Sequence, residues 1–158
     1  MEPEGIKNLL SQVDLFNDLD DGELSVLAEH FSIVRHKQGE TIFSEGAQVQ
    51  VFSIILDGSV NIMLPQDSGN VHRISAINLA TFGPGEYFGE YSVLDMRGAS
   101  ASAVAGEDCE LLQISAFNLF HVFNQHCNIA RSFYQKLVLT LIDRLREQNR
   151  ELDMFTIG

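Results

Sequence analysis

The chain has 158 residues, 45% hydrophobic and 20% charged, with 12 Gly, 3 Pro and 2 Cys. That is ordinary globular usage for one domain and excludes a disordered or collagen-like chain. Ten Lys and Arg against 22 Asp and Glu leave a net charge of −12, which argues against general binding of DNA, RNA or anionic membrane.

Met1-Glu2-Pro3-Glu4 is acidic, not basic-then-apolar, so no secretory signal is expected. A cytoplasmic, reduced protein follows, with Cys109 and Cys127 leaving room for one disulfide. Residues 1–36 read as an N-terminal helical segment. Leu24, Leu27, Ala28 and Phe31 recur at i, i+3, i+4 and i+7, one face of a helix. Asp20 or Asp21 can cap it, and Glu23 suits its first turn.

Residues 37–114 are dense in short β-type runs. Thr41-Ile42-Phe43 comes first. Val51 to Leu56 leads through Asp57-Gly58 into Ser59 to Leu64, a hairpin signal. Residues 65–70 carry turn chemistry. Ile74 to Phe82 reads as a strand pair or bend, and Gly83-Pro84-Gly85 as a break. Ala99 to Val104 and Cys109 to Ile114 read as two more strands. Many short strands with frequent turns predict a mainly β domain, a jelly-roll-like β-roll (double-stranded β-helix), with flanking helices.

Residues 115–158 return to helical periodicity. Ser115 caps a helix over Phe117 to Phe123, and Asn128 a second from Ile129 to about Asp153. The apolar positions Ala130, Tyr134, Leu137, Leu141, Leu145 and Leu152 stripe the second helix, and Val138 and Ile142 widen the stripe. Twenty-five residues reach about 37 Å, more than one roll covers. A homodimer through this helix is expected, with Leu137, Leu141, Leu145 and Leu152 near the seam. Its longest apolar run, Leu137 to Ile142, is far short of the ~20 residues a membrane span requires.

The chemistry concentrates in residues 88–100: Phe88-Gly89-Glu90, then Tyr91 to Leu94, then Arg97-Gly98-Ala99-Ser100. Gly89 frees the backbone for close approach to a ligand. A short helix from Glu90 offers N–H groups to an anion. Arg97 supplies a forked permanent cation that fits phosphate oxygens, and Gly98 and Ala99 leave amides open beside it. Glu90, awkward beside an anion, suits the hydroxyls of a sugar. The string therefore fits a ligand that is both phosphate and sugar. Read alone, Arg97 is a common surface arginine, and the aromatics Phe117, Phe120 and Phe123 are core at helical spacing.

These residues resemble the phosphate-binding cassette of the cyclic-nucleotide-binding domains found in catabolite activators, protein kinase A regulatory subunits and cyclic-nucleotide-gated channels. Gly83-Pro84-Gly85-Glu86-Tyr87, Lys37 to Phe43 with Gly46, Ile55 to Val60, Leu15-Phe16 and Arg144-Leu145-Arg146-Glu147 extend the resemblance across residues 10 to 153. It implies that Glu90 holds the ribose 2′-hydroxyl and Arg97 the cyclic phosphate, helped by amides near Gly89, Gly98 and Ala99. Tyr91 and Ser100 flank the ligand, and Gln148 and Asn149 on the last helix reach the base. Two departures stand out. Only six residues separate Glu90 from Arg97, shorter than the commoner family length, and Met96 replaces the proline often found before the arginine.

The resemblance implies a sensor rather than an enzyme, without cofactor, that takes cAMP as ligand, or cGMP. Gly98, lacking the threonine hydroxyl seen in cGMP-preferring domains, points to cAMP. The chain is also readable as the sensor half of a transcription regulator, kinase or channel with a missing output domain or an effector protein, or as an interaction module that has lost its ligand. No basic recognition helix for DNA is evident. A cupin-like enzyme is disfavoured because no His-x-His is present, and His121 and His126 fall on different helix faces.

Overall fold

The computed structural model describes residues 2–48 and 50–157. Three N-terminal elements lead in: α1 (Pro3–Ser11), a 3-10 turn (Asp14–Phe16) and α2 (Asp21–Ala28). Asp20 caps α2: its carboxylate accepts from the Glu23 amide, while the Glu23 carboxylate accepts from the Asp20 amide. Helix α1, within the segment read as helical, starts on Pro3 and buries Ile6 and Leu10.

Ten strands follow: β1 (Ser32–His36), β2 (Thr41–Phe43), β3 (Val51–Asp57), β4 (Val60–Leu64), β5 (Asp67–Ser68), β6 (Val71–His72), β7 (Ile77–Phe82), β8 (Tyr87–Phe88), β9 (Ser102–Ala105) and β10 (Cys109–Ser115). They pair antiparallel in the orders β1-β10-β3-β8 and β2-β9-β4-β7, with β5 and β6 as a small separate ribbon. The expected hairpin between β3 and β4 does not form: the two strands belong to different sheets, and Asp57-Gly58, with Gly58 at φ 83°, carries the chain from one sheet to the other. Strand β1 arises inside the segment read as helical, because Ser32 to His36 zips against Gln113 to Cys109. Strand β9 begins at Ser102 rather than Ala99, because residues 97–101 belong to the cassette loop.

The near-continuous apolar run of β3, broken only by the buried Ser53 before Asp57, has a simple cause. Phe52 and Ile54, with Leu112 and Ile114 of β10, face the helices and join one core with Phe16, Leu27 and Phe133. Ile55, with Leu111 and Cys109, faces the inside of the roll and joins Val60, Phe88, Ala103 and Ala105. A strand buried on both faces has no reason to alternate.

Helix α4 (Ala116–Gln125) is capped by Ser115, whose hydroxyl accepts from the Asn118 amide. Helix α5 (Cys127–Ile157) starts one residue before Asn128, so Asn128 is not its cap. Its side-chain Nδ2 donates instead to Glu23 of α2, and its Oδ1 accepts from Arg131. At 31 residues α5 is about 46 Å long. Leu137 is 2% exposed and packs in the helix-facing core, which removes it from the expected seam. Leu141 is half-buried against the same core, and the exposed apolar residues of α5 include Tyr134, Val138, Ile142, Leu145, Leu152 and Phe155. Cys109 and Cys127 are free thiols, the first buried and the second exposed. Among the described residues no helix is long and apolar enough to cross a membrane.

Candidate functional site

Strand β8 delivers the chain to the cassette. Gly89 follows with φ 87° and caps α3 (Glu90–Asp95). A Cβ there would lie 2.4 Å from the Val51 carbonyl oxygen, so only glycine lets the backbone pass β3 this closely. The turn throws Glu90 inward, and it is 4% exposed. Helix α3 closes at Met96, the one non-glycine residue at positive φ among those described, and its amide donates to the Ser92 carbonyl. That left-handed step, at the position of the family proline, turns the chain toward Arg97.

Arg97 is exposed, and its amide donates to Asp95 Oδ1 over 2.9 Å. Gly98 and Ala99 lie against the loop after β2. The Gly46 amide donates to the Ala99 carbonyl, and the Ala99 amide to the Ala47 carbonyl. The Ala99 N–H is therefore already used, while among the described residues the Gly98 N–H carries no hydrogen bond. A Cβ on Gly98 would stand 2.9 Å from the Gly46 carbonyl oxygen, so its missing side chain is first a packing requirement. The loop itself is clasped. Arg73 donates from Nη1 and Nη2 to the two carboxylate oxygens of Glu45 and also to the Pro65 carbonyl, and the Glu45 amide donates to Ser102 Oγ. Hydrogen bonds from Arg73 hold the Glu45 carboxyl below its ordinary range, although burial works the other way.

Opposite the cassette, Val60 and Ile62 face into the roll with their cross-strand partners Phe82 and Ala80. The pairing skips Leu79, a bulge residue left 54% exposed on the outer strand of that sheet. This is an apolar wall beside polar and charged groups, the mixture that small-molecule sites use.

The residue that sequence reasoning missed is Arg144 of α5. Its Nη1 donates to Glu90 Oε1 over 2.9 Å and approaches the Tyr91 hydroxyl at 3.5 Å, while its guanidinium lies 5.9 Å from the Phe82 ring centre. Burial opposes its charge, but Glu90 and Tyr91 outweigh that and raise its pKa. The Arg-Leu-Arg-Glu string placed Arg144 on the last helix, yet nothing in the sequence paired it with a residue 54 positions away. The structure thus brings Glu90, Tyr91, Phe82 and Arg144 together. Ser100 is exposed at the end of the cassette, and Gln148 and Asn149 are exposed on α5, one turn and more beyond Arg144.

Comparison with known proteins shows the same family and fold. Residues 33–126 match the family model of the cyclic nucleotide-binding domain. The cyclic AMP receptor protein of Thermus thermophilus is 33% identical over 142 residues, covering 90% of this chain and 62% of the relative. The chain thus spans less than two thirds of that protein's length. The solved catabolite activator protein of Thermus thermophilus superposes with a TM-score of 0.72 over the same shares of the two chains. A cyclic nucleotide-binding domain from Methylobacillus flagellatus shares the fold at TM-score 0.76 and 23% identity, covering 92% of this chain and 79% of that one. The regulatory domain of Toxoplasma gondii protein kinase A, solved with cAMP, does so at 0.71 and 18%, over 86% and 49%.

Proposed function

The chain belongs to the cyclic nucleotide-binding domain family, and from that premise we propose that it is a non-enzymatic cytoplasmic sensor whose ligand is cAMP. The observation that carries this reading is the cassette itself. Gly89 is seated against the Val51 carbonyl, Glu90 is turned inward and Arg97 is left outward at the other end of α3. A buried carboxylate takes the ribose 2′-hydroxyl. The arginine and the Gly98 amide take the cyclic phosphate. The Ile62, Leu79 and Phe82 wall receives the apolar faces of the nucleotide. The choice of cAMP over cGMP draws on the name of the Thermus relative and on Gly98, which has no hydroxyl to offer a guanine.

Nucleotide binding brings a hydroxyl to Glu90, where Arg144 now donates, so the hold of α5 on the cassette changes when the site fills. Helix α5 thereby carries the signal outward by a shift between two packings. Tyr134, Val138, Leu141, Leu145, Gln148, Leu152 and Phe155 step by four and three, a heptad pattern, all of them exposed except Leu141, which is half-buried against the chain's own core. It supports a homodimer through α5, with Gln148 and Asn149 near the seam and within a chain's reach of the base. An effector or an output domain outside this chain receives the signal.

One observation favours a second reading. Glu90 is already satisfied by Arg144, as it would be in an interaction module without ligand. Calorimetric titration with cAMP, cGMP, cyclic di-GMP and 5′-AMP decides: tightest binding of cAMP supports the sensor, and no heat with any of the four supports the module.

A further inference from the structure

The loop after β2 contributes no residue to the cassette, yet the cassette leans on it. Gly46 turns that loop at φ 82°. Its amide donates to the Ala99 carbonyl over 2.8 Å, and the Ala99 amide donates to the Ala47 carbonyl over 2.9 Å. The Gly46 carbonyl oxygen also stands 2.9 Å from the point where a Gly98 side chain would begin. Gly98 and Ala99 are therefore placed by residues 46 and 47. The Gly98 N–H, free of any hydrogen bond among the described residues, sits wherever that loop sets it.

Two fastenings fix the loop itself. On one side the Glu45 amide donates to Oγ of Ser102, the first residue of β9, over 2.8 Å. On the other stands Arg73, the residue after β6. Its Nη2 donates to Glu45 Oε1 over 2.9 Å, and its Nη1 to Glu45 Oε2 over 3.0 Å and to the Pro65 carbonyl over 2.8 Å. The Arg73 amide donates to the Gln66 carbonyl over 2.7 Å, which roots the residue at the base of the β5-β6 ribbon. The Arg73 and Glu45 side chains are only 21% and 18% exposed. A forked pair this sheltered is stronger and better defined than a surface ion pair. With its charge met by Glu45, Arg73 is not a second open cation like Arg97.

We propose that Arg73 is a positioning residue for the phosphate: through Glu45 it sets the loop after β2, and that loop holds Gly98 and Ala99 where the cyclic phosphate is received. The inference rests on the cyclic-nucleotide reading above. A cradle made from a backbone amide has no rotamer with which to correct itself, so a displaced loop passes its whole error to the Gly98 N–H. A supporting shell that is ordered before the ligand arrives removes that error and spares the ligand the cost of ordering it. Arg73 touches neither Arg97 nor the cassette in any hydrogen bond, so its effect on binding travels through Glu45 and residues 46 and 47.

The test is titration of wild type, Arg73→Ala, Arg73→Lys, Glu45→Ala and the Arg73→Ala/Glu45→Ala double variant with cAMP and with the two diastereomers of its phosphorothioate, in which sulfur replaces one or the other exocyclic oxygen. Arg73→Ala is expected to bind cAMP about tenfold more weakly. Glu45→Ala loses a similar factor, the double variant loses no more than either, and Arg73→Lys, which keeps the charge without the fork, falls between. The ratio of affinities for the two diastereomers moves toward one in Arg73→Ala, a change that lowered stability alone does not produce. Wild-type affinity in Arg73→Ala, an unchanged ratio, or a wild type that does not tell the diastereomers apart overturns the proposal. So does Glu45→Ala that binds as well as wild type, because a freed Arg73 would then be reaching the phosphate directly. Hydrogen exchange without nucleotide is expected to quicken at Gly46 and Ala99 in Arg73→Ala while β3 and β10 stay protected, and unchanged exchange there also overturns it. If wild type binds no cyclic nucleotide, the sensor reading fails instead, and the exchange comparison still decides whether Arg73 sets the loop.

Discussion

Arg144 Nη1 and Glu90 Oε1 stand 2.9 Å apart and join the last helix to the first residue of α3. The Glu90 side chain is 5% exposed and that of Arg144 34%, so removing the arginine strands a buried carboxylate beside its own helix. Arg144→Ala is expected to lower stability by about 1–3 kcal/mol. Arg144→Lys recovers part of it, because an ammonium lacks the planar fork. Chemical denaturation checks both, and an alanine variant as stable as wild type removes the pair from the account.

Arg97 presents the opposite case. Its side chain is exposed, and among the described residues it makes no hydrogen bond, so Arg97→Ala should leave stability within about 0.5 kcal/mol of wild type. Cyclic nucleotide binding should fall by about 1.5–3 kcal/mol or more, the worth of hydrogen bonds to a charged group. Ligand at about 100 times its dissociation constant stabilises wild type by about 2.7 kcal/mol. An equal thermal shift in the variant would show that Arg97 does not touch the phosphate.

Gly98→Thr looks from sequence like a route to cGMP, since it adds the missing hydroxyl. The backbone forbids a clean exchange, with a Cβ only 2.9 Å from the Gly46 carbonyl oxygen. The expected outcome is weaker binding of cAMP and cGMP alike, with the loop after β2 displaced. Competition titration in which cGMP alone gains affinity would contradict this.

The Glu45–Arg73 clasp predicts an acid dependence. Hydrogen bonds from Arg73 lower the Glu45 pKa from 4.5, so the folded state binds its proton less readily than the unfolded chain. The clasp's stability is then fully present above about 4.5 and is lost as pH falls through the depressed folded value. Glu45→Gln should be less stable than wild type at neutral pH, with the gap closing on acidification. Urea unfolding at stepped pH measures it, and a gap that widens toward acid reverses the sign.

The α5 seam is open to a direct check. Leu145 and Leu152 are 60% and 64% exposed, so Leu145→Glu with Leu152→Glu costs the single chain little. Sedimentation is expected to show a wild-type dimer at tens of micromolar and a monomeric double variant. A monomeric wild type, with and without cAMP, would refute the seam.

Local chemistry made much of this legible in the sequence. Asp20 with Glu23 announced a helix start, and Asp57-Gly58 a turn, although that turn links two sheets instead of closing a hairpin. The glycines of residues 88–100 announced a tight turn into a short helix, which Gly89 at φ 87° before α3 provides. What escaped was decided by distant partners. Ser32 to His36 became a strand because β10 lay open beside it, and Leu137 left the seam because Phe133 and its neighbours turn that face of α5 into the core. Asn128 had the chemistry of a cap, but the chain entered α5 one residue earlier and its side-chain Nδ2 went to Glu23. The Arg144–Glu90 tie, the feature that couples site to helix, has no local signature at all.

Helix α5 is pinned at three residues spaced by eight: Asn128 to Glu23, Lys136 to the Asp14 carbonyl and Asn17, and Arg144 to Glu90. Eight residues turn a helix by about two full revolutions and 80° more, so the pins wind around the shaft as they climb about 12 Å at each step. A shaft held this way resists simple sliding, because a displacement that eases one pin wrenches another. Release of the last pin alone leaves a pivot near Lys136. From there to the final described turn is about 30 Å, so a tilt of about 10° swings the far end by about 5 Å. On the proposed function, a hydrogen bond exchanged at a sugar hydroxyl is thereby geared up to the width of a side chain at the tip.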